Sequence, residues 1–183
     1  MRWQKLTSKS YRRLSAQAVY RKNGRMTPAQ RRAAVLAIAT ALAIPAEGIF
    51  TRWYFDPVGI ATVCIGHTKD VDRSKVYTVA ECKALLNKEM GDVVQRLDTC
   101  RPGLPIRVLA SFSDAAFNVG EHIACDSTRS TAARLLAAGR YTEACNQLPR
   151  WNRAVVGGVS VPLSGLTKRR EMERRVCLGE RME

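Results

Sequence analysis

Two carboxylates and a hydroxyl stand within the stretch 46–68, AEGIFTRWYFDPVGIATVCIGHT: Glu47, Asp56 and Thr62. Side chains of these types are what glycoside hydrolysis needs. One acid must keep a proton near neutral pH and give it to the leaving oxygen, and apolar surroundings favour this because a carboxylate loses hydration there. Glu47 follows the apolar run LAIPA and fits that role. The second acid must stay ionised, to activate water or to support positive charge on the sugar. Asp56, in an Asp-Pro turn, fits the second role, and the hydroxyl of Thr62 could hold the attacking water. The spacing alone is common, and ordinary solvated acids would share it.

Glu47 is also the first acid in the chain. Ten of the 30 Lys and Arg lie in residues 1–46, which contain no Asp or Glu, whereas the rest carries 20 basic and 16 acidic residues. The net charge of +14 is thus concentrated in an N-terminal arm. Such an arm suits polyanions: anionic lipid headgroups, an anionic cell-wall polymer or nucleic acid. A non-enzymatic basic module that binds membrane or nucleic acid is the competing function. The near-balanced charge of the body argues against it.

The elements that must position the acids fall into three segments. Residues 1–32 form the basic arm, expected to be poorly ordered or a short frayed helix, with a turn signal at Asn23-Gly24. Residues 33–46, AAVLAIATALAIPA, are uncharged; fourteen residues are too few for an ordinary transmembrane helix of about 20. They suit the first core helix, or a weak signal-anchor placed behind Arg31 and Arg32. Translation from Met26 would give a compact signal and leave residues 1–25 as an upstream extension. Cleavage after Ala41-Leu42-Ala43 would remove the helix that carries Glu47, so an uncleaved anchor that later leaves the membrane fits better.

Residues 47–183 form the body. Its aromatic and β-branched start predicts a hairpin to about residue 70. Thr78-x-x-Glu81 is a capping-box spacing that opens a long helix, with Val79, Cys82, Leu85, Leu86, Val93, Val94 and Leu97 at helical intervals. PIRVLASFSDAAFNVG predicts a central buried helix ended by Gly120; two short helices follow around Gly139, VVGGVSVPLSG is expected to be a loop, and LTKRREMERRVCL closes the chain as an amphipathic helix. The fold class is α+β and mostly helical, with a small β-hairpin lobe, a larger helical lobe and a cleft between them. Six cysteines, Cys64, Cys82, Cys100, Cys125, Cys145 and Cys177, lie in the body; three disulfides would imply an oxidising compartment, and six buried thiols are the alternative. No cysteine or histidine spacing suits a zinc site, so no metal and no cofactor is expected.

The ordered residues Glu47-Gly48, Tyr54 with Asp56, Gly59, Thr62 and Gly66-His67-Thr68 resemble the phage-type lysozymes, a family of endolysins. Further matches are YTVAECKALL (77–86), SFSDAAFNVG (111–120), Ser130-Thr131, EACNQLPRW (143–151) and GLTKRREMERRVC (165–177), so the resemblance spans about residues 35–178. It implies a lysozyme-like catalytic domain over residues 47–183. In that domain Glu47 is the general acid, Asp56 the carboxylate that positions or activates water, and Thr62 the water-holding hydroxyl. The implied substrate is peptidoglycan, cut between N-acetylmuramic acid and N-acetylglucosamine for host-cell lysis. Tyr54, Phe117, Asn118 and Gly120 are the implied sugar contacts, and Arg169 or Arg170 the arginine that reaches the glutamate. His67 is expected to be structural, paired with an acid such as Glu89. Trp151 is expected in the core, and Trp53, Tyr54 and Phe55 divide between core and cleft. The cysteines resemble those of the disulfide-bearing lambdoid subgroup. Of fifteen connectivities the reading favours Cys64–Cys82, Cys100–Cys125 and Cys145–Cys177, each joining successive segments. The resemblance further implies a monomer with no specific nucleic-acid partner. It would be made in the host cytoplasm, exported to the periplasm and transiently tethered to the inner membrane, with the arm contacting anionic membrane or lipopolysaccharide. Asp114 and the long hydrophobic segment 152–164 depart from the family pattern.

Overall fold

A computed structural model describes residues 26–56 and 59–180. The readings of residues 1–25, the Asn23-Gly24 turn among them, lie outside the described residues. The apolar run is part of helix α1, Pro28–Glu47. It starts before residue 33 because Thr27 and Gln30 form a capping box and Pro28 occupies the first turn, where its missing N–H is no loss. Pro28 to Arg32, assigned to the arm on sequence, are therefore the opening turns of this helix. Arg31 fastens that end, pairing with Asp98 at 2.9 Å and donating to the Leu104 carbonyl at 2.7 Å. Val35, Ala39, Leu42 and Ala43 form the buried face. No helix of the described residues is long and apolar enough to cross a membrane.

Strands β1, Phe50–Phe55, and β2, Ala61–Cys64, pair antiparallel, with Tyr54 opposite Thr62 and an irregularity between Phe50 and Tyr54. Helix α2, Val79–Cys100, opens on the Thr78–Glu81 capping box, as its sequence predicts. Helix α3, Ile106–Val119, is central: every residue from Val108 to Ala116 is buried, which is why it reads as an almost unbroken apolar run. Short helices α4 (His122–Cys125), α5 (Thr131–Ala137) and α6 (Tyr141–Cys145) and a 3-10 turn at Leu148–Trp151 follow. Helix α7, Ser164–Cys177, packs on α3 and closes the body.

One expectation is corrected. The segment predicted as a loop is a second hairpin, β3 (Arg153–Val156) with β4 (Val159–Pro162). Gly157 and Gly158 both take positive φ, 57° and 81°, as a two-residue turn of the kind that joins twisted strands requires. All six cysteines are paired, Cys64–Cys82, Cys100–Cys125 and Cys145–Cys177, tying β2 to α2, α2 to α4 and α6 to α7.

Candidate active site

Glu47 is the last residue of α1. Gly48 follows with φ 72° and donates its N–H to the Ile44 carbonyl, so the chain leaves the helix and enters β1 within three residues. The hairpin then brings its return turn back against the same carboxyl. A Cβ on Gly66 would lie 3.5 Å from the Glu47 Cδ and Oε2, and Gly66 has φ 73°, so a glycine serves both the turn and the close approach. The other oxygen, Oε1, accepts from Arg169 on α7. About a quarter of the Glu47 side chain stays open to solvent.

The neighbours of Glu47 therefore differ from those its sequence suggests. LAIPA precedes it along the helix, but the groups in contact are a guanidinium and a glycine turn. Arg169 is itself buried and held by Asp114 through two hydrogen bonds, Nε to Oδ2 at 3.2 Å and Nη2 to Oδ1 at 2.8 Å. Burial works against its charge, but Asp114 and then Glu47 more than offset this and hold the guanidinium above its ordinary value. Arg170, next in sequence, is also buried and donates to the Asn118 Oδ1 at 2.7 Å. Of the two arginines, Arg169 is the one that reaches Glu47.

Asp56 ends β1 and closes the hairpin turn. Its backbone N–H bonds the Ile60 carbonyl at 3.0 Å, and its Oδ1 accepts from the Ile60 N–H at 2.8 Å. Thr62 is buried on β2, with its hydroxyl donating to the Ile60 carbonyl at 3.1 Å. Tyr54 lies within the electrostatic reach of both acids. Its phenol is held above its ordinary value, first by burial and then by the charges of Glu47 and Asp56, so both carboxylates act on one ring. That ring also packs on Phe50 at 4.5 Å between centroids.

Beside this group opens a cleft of about 320 Å³, lined among others by Gly66, Glu89, Ala116, Phe117 and Gly120. Phe117 and Gly120, two of the residues expected to contact sugar, line this cleft. Asn118 is not among the residues that line the cleft, and its carbonyl oxygen accepts from Arg170. His67 Nδ1 is 2.8 Å from Glu89 Oε1, which joins the hairpin's return turn to α2. Trp151 is partly buried, packed against the core, its ring 5.2 Å from His122. Among the described residues no three His, Cys, Asp or Glu side chains gather as a metal-binding group.

The sequence reading missed the buried cluster behind Glu47. Asp114, Arg170 and Glu173 are all fully buried. Glu173 Oε2 is 3.0 Å from Arg170 Nη1, yet neither carboxyl oxygen makes a well-aligned hydrogen bond. Its carboxyl is pushed well above the usual range, by burial first and by the charge of Asp114 second, with Arg170 only partly offsetting them. The one available signal was the spacing Arg169-x-x-x-Glu173, which places both side chains on one helix face.

Comparison with known proteins follows the same outline. Residues 45–173 match the phage lysozyme family. The SAR-endolysin of Bacteriophage PS119 is 41% identical over 134 residues, 72% of this chain and 76% of that protein. The SAR-endolysin of Bacteriophage PS34 is 38% identical over 168 residues, 84% and 96% of the two chains. Among solved structures, the muramidase domain of SpmX from Asticaccaulis excentricus shares the fold with a TM-score of 0.68 at 23% identity, covering 76% of this chain and 94% of that one.

Proposed function

The chain belongs to the phage lysozyme family, and from that premise we propose that it is an endolysin. It hydrolyses the bond between N-acetylmuramic acid and N-acetylglucosamine in peptidoglycan, and so lyses the host cell. Glu47 donates its proton to the glycosidic oxygen as the bond breaks. Asp56, ionised, directs water to the anomeric carbon from the opposite face, and the reaction inverts the configuration there. Thr62 has given its own hydrogen to the Ile60 carbonyl, so its oxygen is oriented to accept from that water. Phe117 and Gly120 offer an apolar wall and a close backbone approach to the sugar ring. The chain is active as a monomer, with no specific nucleic-acid partner. It reaches the periplasm by export with transient tethering at the inner membrane, where the basic arm meets anionic lipid or lipopolysaccharide.

One observation carries this reading: Glu47, at the end of the first helix, is held between Arg169 and the Gly66 turn of the hairpin that carries Asp56 and Thr62. General acid catalysis contributes roughly 10²–10⁴-fold. Glu47→Gln should therefore lower the clearing of wall suspensions by at least about 100-fold, with an unchanged circular dichroism spectrum. Clearing near the parent rate by a folded Glu47→Gln protein would remove the assignment.

A further inference from the structure

Behind the carboxyl of Glu47 lies a second acid that no sugar can reach. Asp114 is fully buried on α3 and grips the Arg169 guanidinium with two of its nitrogens, while a third nitrogen, Nη1, serves Glu47. The two acids thus compete for a single cation. We propose that Asp114 is a positioning residue that fixes how much of the Arg169 charge Glu47 feels, and so sets the pH at which Glu47 stops acting as a proton donor. The proposal rests on the reading of Glu47 as the general acid.

The charges around Glu47 define the balance. From α7 come Arg169 and Arg170, from α3 Asp114, and from the hairpin Asp56 and Tyr54. Glu173 completes the cluster behind them, its Oε2 3.0 Å from Arg170 Nη1, and burial pushes its carboxyl well above the usual range. Asp114 and Glu47 are the two acids hydrogen-bonded to the Arg169 guanidinium. When Glu47 takes up a proton for catalysis, Asp114 is the acid left to answer Arg169. Without the Asp114 charge, an unshared guanidinium would favour ionised Glu47 and withhold the proton at a lower pH. The two-point grip also holds Nη1 against Glu47, and asparagine keeps one acceptor oxygen for that grip, so Asp114→Asn reports chiefly the loss of charge.

The test is the pH–rate profile of wall clearing by the full chain, compared for the parent, Asp114→Asn and Glu47→Gln. The alkaline limb of Asp114→Asn should move down by about one pH unit, within the range typical for gain or loss of one neighbouring charge. Asp114→Glu, which restores the charge, should return the limb toward the parent position even where its rate is lower. Asp114→Ser removes the charge with a smaller side chain and serves if the asparagine variant does not fold. A uniform fall in rate with the limb unmoved would make Asp114 a purely structural residue and overturn the proposal. Activity in Glu47→Gln would instead overturn the assignment of the acid, so the two failures are separate.

Discussion

Replacing Arg169 by methionine keeps much of the aliphatic volume and removes the charge that Glu47 and Asp114 share. Its contacts have unequal weight. The pair with Glu47 faces a side chain that is about a quarter exposed, so solvent screens it and its loss costs no more than about 1 kcal/mol. The pair with Asp114 is different, because Asp114 is fully buried and would be left without a cation. Breaking one side of a buried pair costs about 3–5 kcal/mol. Domains have about 5–15 kcal/mol of stability in all, so this is a large share. At about 2–4 °C per kcal/mol for a chain of this length, the midpoint should fall by roughly 6–20 °C. The loss also has a pH signature. To stay buried in the variant, Asp114 must hold a proton that the unfolded chain releases near pH 4, so the deficit is greatest at neutral pH and shrinks toward that value. Urea unfolding at pH 4 and pH 7, followed by circular dichroism, measures both effects. The double variant Arg169→Met with Asp114→Asn should recover at least half of the loss, because no buried charge is left unpaired. A single-variant cost below about 1 kcal/mol at pH 7 would refute the reasoning, since a buried pair should lose several. So would a double variant no more stable than the single one.

Two further outcomes follow from the same packing. Burial raises the Glu173 carboxyl above its unfolded range near pH 4.3, so the folded state binds more protons above that value and loses stability as pH rises. Glu173→Gln should therefore gain on the parent progressively between pH 5 and pH 8 and converge with it near pH 4, read as urea midpoints; a pH-independent difference would contradict this. Removing the Cys145–Cys177 bond with a pair of serines frees a loop with a sequence separation of 32. That should cost about 3–4 kcal/mol by the chain-entropy argument. Non-reducing urea titration checks it, and a loss under about 1 kcal/mol would show that the bond does not restrict the unfolded chain.

Local signals were legible in the sequence, and tertiary ones were not. The Thr78–Glu81 cap, the long helix behind it and the Gly120 stop depend on neighbours a few residues apart, and each appears where its pattern puts it. The second hairpin was also written locally, as valines on both sides of Gly157-Gly158, but two glycines suit a loop as readily as a tight turn. Arg169 and Arg170 defeat periodicity for another reason. Adjacent positions on a helix differ by about 100°, yet both side chains are buried here, one toward Glu47 and Asp114 and the other toward Asn118 and Glu173. The residues beside Glu47 in sequence are apolar and point to no cation; only the family resemblance supplied the arginine. The arginine that meets its carboxyl is 122 residues away.

The position of Glu47 on α1 binds the export proposal to the chemistry. The residues that make the run 33–46 apolar enough to attract a membrane, Val35, Ala39, Leu42 and Ala43, are the same ones that seat α1 in the core. One face cannot serve both environments at once. Under the export proposal, a chain with α1 in the bilayer would have Glu47 removed from Arg169 and Gly66, and the cleft would lack its proposed proton donor while Asp56 and Thr62 stayed on the hairpin. The weak hydrophobicity of an Ala-rich segment then has a physical use. A helix richer in leucine would hold the bilayer more tightly, whereas alanines bring α1 close to its neighbours in the core and leave the membrane at lower cost. On that proposal, the composition that would make 33–46 a weak anchor also lets it pack closely and carry the acid at its end.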